Sequence, residues 1–245
     1  MAVQNQGGRV FLTAEWRHLA LLNYEVDPAL LRPRIPAGTE IDRFEGRAFV
    51  SLVGFRFLHT RLRGIPIPFH RDFDEVNLRF YVRRSDGGIV KRGVVFIQEI
   101  VPRRAIAAVA RWVYHENYRA LPMSHAVTSE TAGQRVEYCW KLGPFSNRLA
   151  VSAGRVARAM VEGSLEQFIA EHYWGYAAQP NGGTVEYHVA HPPWRVWDVT
   201  SAEFSGDAGA LYGPHFAAIL SRPADSAILA EGSPVTVYAG NKLPL

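Results

Sequence analysis

The chain of 245 residues is poor in features that define several classes of protein. Its single cysteine, Cys139, excludes an internal disulfide, and its neighbours Tyr138 and Trp140 predict that it is a buried small side chain in a strand. No run of about 18 apolar residues is present, so we expect no membrane-spanning helix. The polar residues 1–8 lack the apolar run of a secretion signal. These absences predict a soluble, cytoplasmic protein.

Strong charge of one sign is also missing. The chain has 27 basic and 23 acidic residues, a formal net charge of +4, and only three of the basic residues are lysines, Lys91, Lys141 and Lys242. We attribute the excess of arginine to genome composition rather than to a phosphate-binding surface. The scarcity of lysine leaves few candidates for amine chemistry.

Short segments rich in Val, Phe, Tyr and Trp recur between Gly, Pro and Asp residues, which is typical of strands. Polar and apolar residues alternate over 77–83, as in a half-buried strand, and Gly87 and Gly88 predict a hairpin after it. The predicted strands are 48–58, 76–83, 94–100, 135–140, 148–152, 183–189, 194–199 and 235–238.

Helical signals are fewer. Asp27 and Pro28 predict the N-cap and first residue of a short helix that ends by Pro36. Apolar spacing predicts a second helix over 103–115, and a capping box at 164–167 predicts a third over 168–173. Without regular strand–helix alternation, we expect an α+β or mainly antiparallel β fold. No internal repeat or long linker is present, so residues 1–245 are expected to form a single domain.

Three blocks of sequence resemble the acetoacetate decarboxylase-like superfamily, and most closely its YqjF-like branch of unknown function. The first runs from Trp16-Arg17-His18 through the proline turn at Pro36, and the second is 72–82. The third is 105–123, and His191-Pro192-Pro193-Trp194 extends the likeness towards residue 200. The resemblance implies a closed or cone-shaped, mainly antiparallel β-barrel with a few short helices.

The resemblance also implies a site. In the decarboxylases an arginine of the first strand and a glutamate of a central strand line a closed pocket, and a lysine after the helix forms a Schiff base. Position by position, Arg17 matches the arginine, Glu75 the glutamate, and Tyr118 or Arg119 the lysine position. Because neither tyrosine nor arginine forms an imine, Schiff-base decarboxylation is not expected.

The matched side chains still predict a small-molecule site. Arg17 is expected to bind a substrate carboxylate, and Glu75 to act as general acid and base. Tyr118 and Arg119 are expected to stabilise a developing enolate. His70 either overhangs the pocket as a further substrate contact or belongs to a plain turn. The alternative is a buried network that only satisfies its own hydrogen bonds.

Signals for a metal or cofactor are weak. His188 and His191 are three residues apart, which places them on opposite faces of a strand. The sequence has no metal-ligand motif, no glycine-rich dinucleotide motif followed by a helix, and no Gly-x-Ser-x-Gly elbow. We therefore expect no metal and no cofactor.

Three functions fit these observations. The first is an enzyme acting on a carboxylate or keto compound, for example a lyase, hydratase or isomerase that lacks the Schiff-base lysine. The second is a non-catalytic protein that binds or senses a small acid, and the third is a nucleic-acid or protein interaction module. The pocket residues favour a small-molecule partner over nucleic acid or membrane. The oligomeric state is left open, a homo-oligomer included.

Overall fold

The computed structural model describes residues 8–66, 68, 70–103, 117–131 and 133–243. In this part of the chain one sheet of 15 strands dominates. The strands are β1 Val10–Val26, β2 Glu40–Ile41, β3 Ala48–Leu62, β4 Ile65–Pro66, β5 Phe73–Asp86, β6 Ile89–Val101, β7 Tyr118–Ala120, β8 Met123–Glu130, β9 Gly133–Leu142, β10 Phe145–Ala159, β11 Trp174–Ala178, β12 Thr184–Ala190, β13 Arg195–Ser205, β14 Ser226–Tyr238 and β15 Asn241–Lys242.

The helices between the described strands are short. Asp27 caps the first by accepting from the Ala29 N–H at 2.8 Å, and Ser164 caps the second by accepting from the Gln167 N–H at 3.3 Å, so both predicted caps are confirmed. No helix in the described ranges is long and apolar enough to cross a membrane. The helices are α1 Pro28–Leu31 with a 3-10 turn Arg32–Arg34, α2 Leu165–Ala170, α3 Ala208–Tyr212 and α4 Pro214–Leu220.

The eight predicted strands all correspond to strands of the structure, and most of these are longer than predicted. The hairpin at Gly87 and Gly88 is confirmed, because β5 ends at Asp86 and β6 begins at Ile89. Helix α2 ends three residues before the predicted limit, at Ala170. The helix expected over 103–115 falls almost entirely outside the described residues, and α3 and α4 were not predicted.

Among the described strands, seven close into a ring. Their order is β12, β11, β6, β5, β3, β1 and β14, and the ring closes where Val189 of β12 pairs with Val237 of β14. The ladders are mainly antiparallel, as the sequence predicted, although β11 and β7 each pair with β6 in parallel. A closed ring leaves its strands without free edges and gives them one face that points inward.

The remaining long strands cover the outside of the ring. Strands β13, β10, β9 and β8 continue the sheet from β14 and pack over the outer faces of β1, β3 and β5. This packing is close: a Cβ on Gly54 would lie 2.6 Å from the ring of Tyr138, so only glycine fits. Because β3 is buried on both faces over 48–55, this part of it is a nearly continuous apolar run, whereas β5 is buried over 73–82 but alternates polar and apolar residues.

Cys139 differs from the expectation. It is half-buried rather than buried, and its sulfur lies 3.5 Å from the Glu137 carboxylate. Its neighbours Tyr138 and Trp140 are both fully buried in the layer between the ring and the covering strands. Since side chains alternate along a strand, Cys139 points to the opposite, outer face of β9.

Candidate functional site

The inward faces of the ring strands enclose a cavity of about 210 Å³. Its wall is mostly apolar, with a small group of polar and charged side chains. The lining residues are Phe11, Leu12, Trp16, Leu19, Val53, Phe55, Phe57, Thr60, Leu62, His70, Phe73, Glu75, Asn77, Arg79, Val94, Phe96, Glu99, Tyr118, Ala170, His172, Trp174, Tyr187, Val189, His191, Trp194 and Val237.

Strand β5 supplies the polar part of this wall. Glu75, Asn77 and Arg79 are alternate residues on its inward face, while Val76 and Leu78 point outward into the core beneath the covering strands. The strand is paired on both sides, with β3 and with β6, so its backbone groups are used in the sheet. The three side chains are thus held by a rigid element at fixed spacing.

Glu75 and Tyr118 meet at the cavity wall. The Tyr118 hydroxyl donates to Glu75 Oε2 at 3.4 Å, and the Asn77 amide donates to Glu75 Oε1 at 3.0 Å. Glu75 keeps only 3% of its surface exposed. Tyr118 reaches it because β7 pairs in parallel with β6, which sets Tyr118 beside Glu99, a second cavity-lining carboxyl. The arrangement is suited to proton transfer, because a carboxyl group and a hydroxyl share one enclosed space.

Arg79 is the unusual group of the cavity. It is 9% exposed, and it makes no hydrogen bond or ion pair with any residue that the structure describes. Its guanidinium carbon lies 5.8 Å from the centre of the Tyr81 ring. A buried charge without a counter-ion is costly, and buried charges in proteins are normally paired. Arg79 therefore presents a largely buried positive charge to the cavity.

His172 lies at the Tyr81 end of the cavity and is held by Asp42. Its Nε2–H donates to Asp42 Oδ2 at 3.1 Å, and the Arg92 Nε–H donates to the same oxygen at 2.6 Å. Burial lowers the pKa of His172 to about 4 against the opposing effect of Asp42. The pKa of Asp42 is itself lowered: burial raises it, but the bonds from His172 and Arg92 outweigh that. At neutral pH His172 is uncharged, with its proton on Nε2.

The structure brings together only part of the predicted site. Glu75 and Tyr118 share the cavity wall, and His70 lies on its half-buried rim, where its Nδ1–H donates to the Pro68 carbonyl at 2.8 Å. Arg17 and Arg119 do not line the cavity. The roles assigned to these five residues remain predictions.

The expected position of Arg17 is wrong for a simple reason. Its neighbour Trp16 points into the cavity, so alternation along β1 turns Arg17 to the outer face. There it forms an ion pair with Glu15 at 2.7 Å. Arg119 follows the inward-facing Tyr118 in the same way and is half-buried on the other face of β7.

Sequence reasoning missed Arg79, Asn77, Glu99 and His172 as cavity residues. A signal existed for the first two, because the alternation over 77–83 placed them on one polar face. The alternation predicts a half-buried strand with this polar face towards solvent, whereas in the closed ring the face points into the cavity. In the described ranges no three His, Cys, Asp or Glu side chains are arranged to hold a metal ion.

Comparison with known proteins places the chain in a family. Residues 13–235 match the DUF2071 family, described as an uncharacterized conserved protein. The uncharacterized protein YqjF of Bacillus subtilis (strain 168) is 29% identical over 184 residues, which cover 73% of this chain and 72% of that protein. Both matches agree with the resemblance seen in the sequence.

Solved structures share the fold at low sequence identity. Acetoacetate decarboxylase from Legionella pneumophila superimposes with a TM-score of 0.67 and 14% identity, over 100% of this chain and 92% of that one. The enduracididine biosynthesis enzyme MppR, complexed with pyruvate, gives 0.65 and 13%, over 98% and 92%. At these identities the likeness establishes an acetoacetate decarboxylase-like fold. By its sequence match, the chain belongs to the DUF2071 family.

Proposed function

We propose that the chain is an enzyme that binds a small keto acid and moves a proton on the carbon next to the carbonyl group, without forming an imine. The observation that carries this proposal is the position of Arg79, a buried cation without an ion-pair partner among the described residues, in the same cavity as the Glu75–Tyr118 pair. A binding group for the acid and a group for the proton thus line the same cavity, on one face of β5. Proton transfer of this kind is a step common to lyases, hydratases and isomerases of keto acids.

Arg79 provides the binding energy for the acid. A guanidinium presents two parallel N–H donors that match the two oxygens of a carboxylate. Here the arginine is largely buried, and its Nε has no hydrogen-bond partner among the described residues. A carboxylate that enters the cavity therefore supplies the missing counter-ion, and little extra desolvation of the arginine is required.

Glu75 is the residue proposed to remove and return the proton of the substrate carbon. Its carboxylate takes the proton from the substrate carbon, and the electrons of that C–H bond move into the carbonyl group to form an enolate. The Tyr118 hydroxyl, which lies 3.4 Å from Glu75, donates a hydrogen bond to the enolate oxygen. Asn77 holds the second oxygen of Glu75 and fixes its orientation. Return of the proton from Glu75 to carbon completes the cycle.

The three lysines do not favour an imine route. Lys91 is buried on another part of the sheet and bonds to Asp86 at 2.7 Å and to Glu186 at 2.8 Å. Burial lowers its pKa, but the two carboxylates outweigh burial and raise it, so the amine stays protonated and is not a nucleophile. Lys141 and Lys242 are exposed, and none of the three lines the cavity.

The fold relatives support the same substrate class. One is an acetoacetate decarboxylase, and MppR is complexed with pyruvate, so in both a keto acid is the named substrate or ligand. A non-catalytic protein that stores or senses such an acid is the second candidate. The mostly apolar wall of the cavity favours tight binding and is compatible with either function.

Exchange of carbon-bound hydrogen in D₂O tests the proposal. We expect the protein to speed the loss of the C3 proton signals of 2-oxobutanoate in proton NMR, compared with buffer and with heat-denatured protein. Glu75→Gln should retain binding of the acid and lose the exchange, because the amide cannot accept the proton. Binding without faster exchange in the native protein would contradict the enzyme proposal and support the binding protein.

A further inference from the structure

The cavity is unusually rich in aromatic rings. Phe, Trp and Tyr supply ten of the 26 lining residues, against 12% of the whole chain. Aliphatic side chains would make an equally apolar wall, and the rest of the core uses them freely. Rings differ from them in offering flat faces and polarised edges, which favour contact with another ring.

One half of this aromatic wall surrounds Trp16. Phe57 and Phe73 face each other on neighbouring strands with their centroids 4.6 Å apart and their planes 14° from parallel. Trp16 stands edge-on to Phe55 at 5.3 Å and to Phe57 at 5.9 Å. These are the offset and perpendicular arrangements that aromatic pairs prefer, so the rings hold one another in place.

The other half is formed by His191 and Trp194, which stack with centroids 4.4 Å apart and planes 14° from parallel. The Trp194 indole donates to the Ser233 hydroxyl at 3.0 Å, which fixes the orientation of its ring. Burial lowers the pKa of His191 to about 4, so the imidazole is neutral near pH 7. This end of the cavity is therefore a rigid aromatic surface without charge.

The inward residues of β5 run in a defined order from this surface to the anion site. Phe73, Glu75, Asn77 and Arg79 follow one another on a single face, at about 6.6 Å for each step of two residues. Phe57 of β3 pairs with Phe73 of β5, and Phe55 of β3 pairs with Glu75 of β5. The aromatic rings therefore lie next to the carboxyl group that is proposed to transfer the proton. A ligand held by Arg79 presents its middle to Glu75 and its far end to the rings.

The volume of the cavity indicates the size of the group that the ligand carries at the end away from its carboxylate. A cavity of about 150 Å³ is enough to hold benzene, and this one measures about 210 Å³. The difference leaves space for a short acid chain beside one ring.

We propose that the ligand is an aryl-substituted keto acid, with its carboxylate on Arg79, its carbonyl carbon beside Glu75 and its ring among Trp16, Phe57 and Phe73. The inference rests on the proposed function, because it uses the same anion site and the same reacting position. It adds the chemical class of the group attached to the reacting carbon. The ring is recognised by its flat shape and its π face, in addition to its apolar surface.

Binding of three simple acids, measured by isothermal titration calorimetry, tests this inference. The probes are propanoate, 3-cyclohexylpropanoate and 3-phenylpropanoate, which share the acid group and differ in the attached group. From the buried apolar area we expect 3-phenylpropanoate to bind about 100-fold more tightly than propanoate. From the energy of aromatic pairs we expect it to bind about 2- to 10-fold more tightly than the cyclohexyl acid.

Two variants locate the effect. Phe57→Leu is expected to abolish the preference for phenyl over cyclohexyl, and its circular dichroism spectrum reports whether the variant is folded. If Phe57→Leu fails to fold, Trp16→Leu removes another ring of the same group and serves the same comparison. A phenyl acid that binds no more tightly than the other two, with binding still dependent on Arg79, would overturn this inference and leave the proposed function standing. If none of the three acids binds, both proposals are overturned.

Discussion

Replacing Arg79 with methionine is expected to weaken the binding of small carboxylates by about 2–4 kcal/mol, roughly 30- to 700-fold in Kd, while sparing their amides. Methionine has a similar length and fills the same space, but it offers no charge and no N–H donors. Paired titrations of propanoate and propanamide into both proteins measure the effect. A loss confined to the acid identifies Arg79 as the anion site.

Arg17→Met is the matched control, because Arg17 is the arginine that family resemblance would choose. Its guanidinium is on the outer face of β1 and is already paired with Glu15. We expect this variant to bind acids like the native protein. Weaker acid binding in Arg17→Met, with unchanged binding in Arg79→Met, would show that the anion site has been placed on the wrong residue.

The Arg79→Met substitution is also expected to affect the thermal stability of the ligand-free protein. Since Arg79 is buried and unpaired in the described part of the chain, its removal relieves a desolvation cost. Ligand-free Arg79→Met is therefore expected to unfold at the same or a higher temperature than the native protein. A functional group that lowers stability is common at binding sites, where its cost is offset when the ligand arrives.

Stability is expected to fall as the pH is lowered from about 6.5 to about 4. Burial lowers the pKa of His172 and of His191 to about 4 in the folded protein, from an ordinary value of 6.5. Between these pH values both histidines bind a proton in the unfolded chain but not in the folded protein. Protonation therefore stabilises the unfolded state. The stability is complete above pH 6.5, and the loss ends below about pH 4. Each histidine contributes about 3 kcal/mol to the loss.

Urea denaturation at pH 7 and at pH 4.5 measures this difference. His191→Phe keeps a ring against Trp194 but cannot titrate, so the fall in unfolding free energy should shrink by about 2 kcal/mol. His215→Gln is the control, because His215 is exposed on α4. Equal pH sensitivity in the native protein and in His191→Phe would contradict the argument that His191 is buried in its neutral form.

Local pattern predicted eight of the 15 described strands, and it failed at the closure of the ring. The apolar runs of β3 and β6 and the glycines between β5 and β6 predicted strands and a hairpin without outside help. The pairing of Val189 with Val237 joins segments far apart in the chain. No local propensity encodes such a contact. The closure that this contact completes nevertheless determines that the polar face of β5 points into a cavity rather than into solvent.

The site was predicted only where alternation and resemblance agreed. Glu75 is on the inward face of β5, so the family position and the geometry coincide. Arg17 is one residue away from the inward-facing Trp16, and a shift of one residue along a strand reverses the face. Alternation placed Arg79 on the polar face of β5, but its distinguishing property, the absence of a partner among the described residues, could not be predicted from the sequence. That property depends on the tertiary structure alone.

The central claim is that an acid binds in the ring cavity with its carboxylate on Arg79, and a crystal structure of the protein grown with 2-oxobutanoate tests it most directly. The account predicts both carboxylate oxygens within hydrogen-bonding distance of the terminal nitrogens of Arg79, and C3 of the acid next to the Glu75 carboxylate. It would be contradicted by an acid bound at the outer face beside Arg17. It would also be contradicted by an acid in the cavity whose carboxylate points away from Arg79.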